Sequence, residues 1–239
     1  MFFVYLAGKK MKKMAILQSN YIPWKGYFHI IQKADHFVFL DTAQYTTRDW
    51  RNRNQIKSPE GLKWLTIPTN GTQSMKINEV KIDNSVDWRK KHLKALEKNY
   101  GKCRYFKQYF GLFQNILMRK NWQNLSNLNQ LLIKEITGIL SIKTTFSDSK
   151  EFKLIEGKNE KIISIIQQLN GDSYLTGPAA KSYIDPEMFQ RNNIKLEYMD
   201  YSNYPVYSQP WGGFAHNVTI FDLLFCEGPD SPKFIWNVR

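Results

Sequence analysis

Short apolar runs that end in polar residues recur along the chain and alternate with segments of helical periodicity. The run Met14–Gln18 predicts a buried parallel strand, because strands covered on both faces are continuously apolar. Ser19–Pro23 predicts a turn, and Pro23 suits the first position of a helix that reaches about Ala34. His36–Asp41 repeats the apolar body and polar end of the first run. Together these segments predict a β-α-β unit with parallel strands.

The middle of the chain predicts further strands followed by a block of helices. Leu62–Pro68 predicts a third strand, and Glu79–Ile82 a shorter fourth. Between Val86 and about Thr137 the periodicity becomes helical, since apolar side chains recur at four-residue steps and lysines occupy the other face. The apolar positions of the first of these helices are Trp88, His92, Leu96 and Tyr100, and two further helices are predicted at Tyr105–Met118 and Leu125–Ile136.

The last hundred residues return to alternating strands and helices. Strands are predicted at Lys143–Asp148, Ser173–Leu175 and Ile194–Met199, and helices at Glu160–Leu169 and from a cap at Asn217 to Phe225. Strands separated by helices predict an α/β fold with a mostly parallel, Rossmann-like sheet. The helical block around residues 86–140 is then an insertion into that fold.

The first thirteen residues are predicted to be an N-terminal extension of a single domain that spans 14–239. Residues 1–10 hold an apolar run of seven residues followed by lysines, which is the reverse of the order in a secretory signal. Met11 and Met14 both follow, so we expect the natural start there. Because no apolar run has the length of about 18–20 residues that a bilayer crossing needs, we expect a cytoplasmic protein without membrane insertion.

Composition and charge limit the kinds of partner that the protein is expected to bind. In 239 residues the hydrophobic fraction is 42% and the aromatic fraction 15%, which excludes a disordered chain. The formal net charge is +13, and residues 51–120 alone carry 16 basic and 5 acidic side chains. Such an imbalance indicates an anionic partner, for which nucleic acid, a sugar nucleotide and a membrane surface all qualify. A solvated lysine-rich surface is the alternative interpretation.

Candidate ligand-binding residues follow the predicted strands. In open α/β sheets ligands collect outside the carboxyl ends of the strands, and polar residues stand there in four segments. These segments begin at Gln18, at Asp41 (with Gln44), at Thr176 (with Gly177) and at Asp200. Gln18 and Asp41 follow adjacent strands, so we expect them to share a crevice. The alternative is that Gln18 caps a strand and Asp41 starts a turn.

The stretch Arg48–Lys57 concentrates cations, amides and one tryptophan. Arginine fits phosphate or carboxylate through two hydrogen bonds, amides both donate and accept, and tryptophan offers a stacking surface. Trp50, Arg51, Arg53 and Asn54 therefore suit the diphosphate and base of a sugar nucleotide, or single-stranded RNA. The alternative is a polar loop whose arginines pair with acidic residues of the second half.

His216 is the candidate base, because it precedes a predicted helix that also carries Asp222. A helix N-terminus disfavours the imidazolium, which leaves a neutral imidazole able to accept a proton from an amine or hydroxyl. The alternative is a histidine that caps or packs, and His92 shares an apolar face and is predicted to belong to the edge of the core. There is no GxxxxGK[ST], GxGxxG, GxSxG, HExxH or CxxC motif, so neither a phosphate loop nor a metal site is expected.

An ordered series of motifs identifies a family. The opening segment Gln18–Phe28 reads QSNYIPWKGYF, and the series continues over Ala34-Asp35, Phe37, Asp41, Gln44-Tyr45, Trp50–Asn54, Ile56-Lys57, Trp64–Pro68, His92, Leu96, Tyr100, Phe106, Tyr174–Ala180, Tyr183, Gln209, Phe214–Asn217, Ile220, Asp222–Phe225 and Glu227-Gly228. This series resembles the WbqC-like protein family from Met14 almost to the end of the chain. Ser19 stands where the family often has proline.

The resemblance implies a role in the biosynthesis of O-antigen or another surface polysaccharide, with glycine or aminoacyl transfer onto an amino sugar as the suggested activity. Gln18, Tyr21, Trp24, Asp41, Arg53, Asn54 and His216 stand in its motifs. The opening is also similar to the nucleotide-binding start of HIGH-motif nucleotidylyltransferases, although their histidines are missing.

The resulting hypothesis is a cytoplasmic transferase that acylates a nucleotide-linked amino sugar. His216 or Asp41 is expected to act as the base, Arg51 and Arg53 as diphosphate anchors, and Asn54 or Gln18 as donors to the carbonyl. The acyl donor is either an aminoacyl-tRNA, which suits the basic segment, or an acid activated by ATP. An RNA-binding module without catalysis and a nucleotidyltransferase-like enzyme are the alternatives.

Overall fold

A computed structural model describes residues 11–236, and its centre is a parallel sheet of five strands. The strands of the described chain are, in order, β1 (Lys13–Leu17), β2 (His36–Phe39), β3 (Arg53–Ser58), β4 (Gly61–Thr66), β5 (Thr145–Asp148), β6 (Ser173–Thr176) and β7 (Lys195–Tyr198). The central sheet has the order β5-β2-β1-β6-β7, and all its neighbours are parallel. The predicted α/β fold with a mostly parallel, Rossmann-like sheet is therefore confirmed.

Helices cover both faces of this sheet. They are α1 (Lys25–Lys33), α2 (Trp88–Tyr100), α3 (Phe106–Met118), α4 (Leu125–Ile139), α5 (Lys158–Gln168), α6 (Pro186–Arg191) and α7 (Ile220–Glu227). Alternate side chains of a strand point to opposite faces, so Ala15 and Phe37 pack in the core with α1, α4 and α7, whereas Met14 and Val38 pack with α5 and α6. The helical block of α2, α3 and α4 belongs to the first of these two cores.

The connections of the sheet reverse direction at β1. From β1 the chain passes through α1 to β2 on one side, and from β6 it passes through α6 to β7 on the other. The loops that leave β1 and β6 therefore diverge, and a crevice opens between the carboxyl ends of these two strands.

The segment after β2 differs from the sequence prediction. β4 covers most of the predicted third strand, but it pairs antiparallel with β3 in a separate hairpin and does not join the central sheet. Gly61, with φ of 107°, allows the short turn that follows Ser58. Half of the stretch Arg48–Lys57 is therefore strand, which the sequence analysis did not predict.

Two smaller predictions are corrected by the structure, and one helix was not predicted. Residues 79–82 form no strand, and Ile77–Glu79 is instead a turn of 3₁₀ helix. Thr219 caps α7 by accepting a hydrogen bond from the Phe221 amide, whereas the predicted cap was Asn217. The short helix α6 had no counterpart in the sequence analysis, although Asp185 before it is an ordinary N-cap.

The N-terminal boundary of the fold lies close to the predicted one. β1 begins at Lys13, and the Lys12 amide donates to the Asp172 carboxylate. Residues 1–10, on which the prediction of an extension rests, lie outside the described residues, and the single-domain organisation stays a prediction. No helix within residues 11–236 is long and apolar enough to cross a membrane.

Candidate functional site

A crevice of about 510 Å³ lies at the carboxyl ends of β1, β2 and β6, and we call it the β1/β6 crevice. Three of the predicted site residues line it, namely Gln18, Gln44 and Gly177. Gln18 directly follows β1 and Gly177 directly follows β6. The sequence predicted a crevice shared by Gln18 and Asp41, but Asp41 is buried and does not line the crevice, and Gly177 lies there with Gln18 instead. A volume of roughly 300–1,000 Å³ is typical of small-molecule sites in proteins.

A second cavity, of about 250 Å³, lies beside the turn between β1 and α1. Its lining is rich in amides and aromatic rings, and we call it the amide pocket: Asn20, Pro23, Trp24, Trp50, Asn54 and Asn217. Trp24, Trp50 and Asn54 were predicted as site residues, and the structure brings them together. Amide groups flanked by indole rings suit a polar ring such as a sugar, whose hydroxyls need donors and acceptors and whose apolar face needs a flat partner.

Arg51 connects the two cavities. One of its guanidinium nitrogens donates to Asn20 Oδ1 in the amide pocket, and Nη2 lies 3.3 Å from Gln18 Oε1 in the β1/β6 crevice. Asn129 of α4 donates to the Arg51 carbonyl at 2.8 Å and so fixes its backbone. The Asp49 carboxylate is 3.7 Å from Nη2. Arg51 thus carries a largely buried positive charge at the boundary of both cavities.

Asn54 and Tyr21 shape the amide pocket from below. Asn54 is buried, and its Nδ2 donates to the carbonyls of Tyr21 and Ile22 at 3.1 and 2.7 Å. These bonds support a turn in which Ile22 has a positive φ of 43°. Since both hydrogens of this amide are occupied, Asn54 has none left for a substrate carbonyl. Tyr21 is also buried, and its hydroxyl lies 2.8 Å from His92 Nδ1.

Arg53 lies on the outer face of the hairpin, away from Arg51. Its guanidinium stacks over the Trp64 ring at 4.2 Å, and Trp64 lies 5.4 Å from Trp50. Trp50 and Trp64 are 40% and 39% exposed, which is unusual for tryptophan. The hairpin therefore presents a row of flat, exposed side chains next to the amide pocket.

Asp41 lies beneath the β1/β6 crevice and is fully buried. Its carboxylate accepts hydrogen bonds from the Ser19 amide at 2.8 Å, from the Ser126 hydroxyl and from Gln130 Nε2 at 3.0 Å. Ser126 and Gln130 belong to α4, so Asp41 ties the loop after β1 to the helical block. This arrangement suits a positioning role, because no exposed carboxylate oxygen is left to take a proton from a substrate.

Asp222 is the centre of a second buried polar cluster. It accepts hydrogen bonds from Tyr100 at 2.9 Å, from Tyr207 at 2.7 Å and from Gln209 at 2.8 Å. Burial raises the pKa of Asp222 above its usual range, and these three donors oppose the rise. Asp222 therefore supports the loop before α7 and has no direct contact with either cavity's lining.

Lys25 is a buried cation in the same region. Its ammonium group lies 4.9 Å from the Tyr204 ring and 5.6 Å from the Phe214 ring, and it donates to the Pro205 carbonyl. Burial lowers the pKa of Lys25 to about 8, although the charge of Asp222 acts in the opposite direction. The sequence analysis did not select Lys25, although it stands in the PWKGY segment of the opening motif.

His216 is exposed and stands beside the amide pocket, since its chain neighbour Asn217 lines that pocket. Its ring packs edge-on against Phe214 at 4.6 Å. Local desolvation and then the positive charge of Lys25 lower the pKa of His216. The imidazole is therefore neutral at neutral pH, as the sequence analysis expected, but α7 begins only at Ile220, so the cause is not the helix dipole.

Several residues of the two cavities were missed by the sequence analysis. Asn20 and Asn217 line the amide pocket, and Lys158 and Lys161 line the β1/β6 crevice. Little in the sequence marked these four residues as ligand-binding. The two asparagines stand in the family motifs, and the two lysines are three residues apart at the start of α5. Among residues 11–236 no group of three or more His, Cys, Asp or Glu side chains is arranged to hold a metal ion.

Comparisons with known proteins agree with the motif series. The sequence profile of the WbqC-like protein family matches residues 18–234. The chain is 42% identical over 227 residues to "Uncharacterized protein Rv1507c" of Mycobacterium tuberculosis (strain ATCC 25618 / H37Rv), which covers 94% of this chain and 98% of that protein. No solved structure matches the chain. Because the family profile spans nearly the whole chain, the protein belongs to the WbqC-like protein family.

Proposed function

We propose that this protein is a transferase that attaches glycine or another aminoacyl unit to an amino sugar carried on a nucleotide, in the biosynthesis of O-antigen or another surface polysaccharide. The observation that carries the proposal is the pair of cavities on either side of Arg51. Arg51 hydrogen-bonds one lining residue of each cavity, and a positive charge so placed suits a group transfer between two substrates bound on either side of it. Membership of the WbqC-like family supports the polysaccharide context.

The chemistry is formation of an amide bond. The amine of the sugar attacks the carbonyl carbon of the activated aminoacyl group, a nitrogen–carbon bond forms, and the bond from that carbon to the leaving oxygen breaks. The amine loses a proton to His216, whose neutral imidazole stands at the amide pocket. The oxyanion that develops on the carbonyl lies near Arg51, whose positive charge is stronger in a partly buried site than in water.

The roles proposed from sequence change in three places. Arg51, expected to anchor the diphosphate, is here proposed to stabilise the oxyanion. Asn54 holds the turn between β1 and α1 with both amide hydrogens, so Gln18 is the better of the two proposed donors to the carbonyl. Asp41 is buried and holds the loop after β1, so His216 is the better of the two proposed bases. Trp24 and Trp50 provide the flat surfaces for the sugar ring.

The direct test is an acyl-transfer assay. Purified protein is incubated with UDP-glucosamine, glycine and either ATP or glycyl-tRNA, and the nucleotide sugar is analysed by mass spectrometry. We expect a product heavier by one glycyl residue with one of the two donor systems, and loss of that product in His216→Ala. Lys153→Ala, on the exposed surface away from both cavities, serves as the control. If no amino acid and no amino-sugar nucleotide gives an acylated product, the proposal is wrong.

A second candidate function, an RNA-binding module without catalysis, is favoured by the exposed face of α2. Lys90, Lys91, Lys94 and Lys98 all lie exposed on this helix. Binding to tRNA through such a face predicts an affinity that falls linearly on a log–log plot against salt, with a slope set by the number of phosphate contacts. Tight tRNA binding together with unchanged function in His216→Ala would favour this candidate over the transferase.

A further inference from the structure

The β1/β6 crevice has two distinct surfaces. Apolar side chains from the ends of the strands and from α5 form one part of its lining, which we call the apolar floor, and Gln18, Gln44 and Thr176 add polar groups. The apolar floor consists of Ile16, Leu17, Leu40, Ile162 and Tyr174. None of the residues that line the crevice is acidic. A ligand that fits both surfaces has a flat apolar part and a negatively charged part.

Two lysines supply the charge of the crevice. Lys158 and Lys161 are three residues apart in the first turns of α5, so both side chains lie on the same side of this helix. Neither forms an ion pair with a carboxylate within residues 11–236, and Lys158 Nζ lies 5.8 Å from the Tyr183 ring. Like charges at this spacing destabilise a helix unless an anion offsets them.

The positive charge here is local. Residues 121–239 carry 11 basic and 13 acidic side chains, so this half of the chain is net acidic although the crevice it helps to form is basic. A general excess of lysine therefore does not account for the pair. An apolar cavity with charged groups at one end is the usual form of a site that binds a charged cofactor or substrate.

We propose that the β1/β6 crevice binds the nucleoside diphosphate part of a substrate, with Lys158 and Lys161 holding the phosphates. The base lies against the apolar floor and Tyr183. This proposal adds a nucleotide-binding site to the proposed transferase function. It depends on that function only for the identity of the group attached to the diphosphate. The phosphate anchors then differ from those predicted from sequence, because Arg51 already contacts Gln18 and Asn20 and Arg53 stacks outside on Trp64.

A nucleoside diphosphate reaches this crevice from one of two sources. The acceptor is a sugar linked to a nucleoside diphosphate. On the donor side, the ATP that activates an acid and the coenzyme A that carries one each contain an adenosine diphosphate unit. UDP and UDP-glucosamine represent the first source, and ADP and coenzyme A represent the second. The ligand that binds more tightly identifies which substrate occupies the crevice.

The test is calorimetric titration of the full chain with UDP, UDP-glucosamine, ADP and coenzyme A. The double variant Lys158→Gln/Lys161→Gln is compared with Lys153→Gln/Lys181→Gln, which removes the same charge from exposed lysines outside the crevice. Because each lysine is proposed to donate a charge-assisted hydrogen bond to a phosphate, and one such bond accounts for about tenfold or more in affinity, we expect binding at least about a hundredfold weaker in the first variant. In the second variant we expect binding within about twofold of the wild type.

The outcomes separate this site from the proposed function. Specific nucleotide binding that depends on Lys158 and Lys161, without any acylated product, supports the site and overturns the transferase. Acyl transfer with an unchanged KM for both substrates in Lys158→Gln/Lys161→Gln supports the transferase and overturns the site. The site is also overturned if no nucleotide binds, if only intact tRNA binds, or if the control variant weakens binding equally.

Discussion

Buried His92 makes the stability of this protein dependent on pH in a calculable way. Its Nε2 lies 3.1 Å from the Thr66 carbonyl, which can only accept, so Nε2 carries the proton. Nδ1 then accepts from the Tyr21 hydroxyl at 2.8 Å. The neutral ring is fully satisfied, and a second proton would need to enter the core. Burial lowers the pKa of His92 to about 4.

The size of the effect follows from linkage. In the unfolded chain a histidine has a pKa of about 6.5, so below that pH the unfolded state binds a proton that the folded state does not. The contribution of His92 is fully present above about pH 6.5 and is lost as the pH falls toward the folded pKa. The loss is about 2 kcal/mol at pH 5 and about 3 kcal/mol at pH 4.

The assay is urea unfolding followed by tryptophan fluorescence between pH 4 and pH 7.5, for the wild type and His92→Gln. Glutamine keeps one donor and one acceptor but does not titrate. We expect the variant to be less stable at pH 7 by about 1–2 kcal/mol. We also expect its free energy of unfolding to fall by about 2 kcal/mol less than that of the wild type between pH 7 and pH 5. Equal pH dependence in both proteins would refute the reasoning.

Three further predictions concern the candidate site. The acidic limb of kcat/KM for acyl transfer should lie below pH 6.5, because desolvation and Lys25 lower the pKa of His216, and Lys25→Met should move this limb to higher pH. Gly26→Ala should displace the Trp24 indole, because an added Cβ would lie 2.3 Å from that ring. We expect the KM for the sugar nucleotide to rise and the tryptophan emission to change. Gly138→Ala, which has open space around it, should change neither. Asp41→Asn should lower the free energy of unfolding, measured with urea, by about 2 kcal/mol and leave the acidic limb of kcat/KM unchanged. Loss of that limb would instead identify Asp41 as the base.

The centre of the sheet was predictable because β1, β2 and β6 are buried on both faces. Runs such as Met14–Gln18 and His36–Asp41 are apolar regardless of what packs on them, and the helices between them force parallel pairing. β3 was not predictable in the same way. Ile56 is the one apolar residue of β3, so the segment has no apolar pattern, and its strand conformation depends on pairing with β4.

The candidate site was predictable only in part. Gln18, Asp41 and Gly177 all follow predicted strands, and the sequence favoured Gln18 with Asp41 as the pair that shares a crevice. The crevice is instead lined by Gln18 and Gly177, because Asp41 is buried. Arg51 and Arg53 are two residues apart in the same stretch, yet one lies between the cavities and the other stacks on Trp64. Arg51 still belongs to the turn before β3, whereas Arg53 is the first residue of β3, so the two-residue spacing does not place them on one face of a strand. No periodic pattern in the sequence predicts where that turn ends and the strand begins.

The sequence by itself determined the α/β fold, the parallel strands and the family, because these depend on local apolar patterns and on the order of motifs. Only the tertiary structure decided which polar residues face a cavity and which hold the fold. Asp41 and Asp222 have the carboxyl group that general acid–base catalysis uses, but long-range hydrogen bonds occupy both. Lys158 and Lys161 come close to Gln18 only because α5 packs against the sheet more than a hundred residues later in the chain. Packing across such distances in sequence leaves no local pattern.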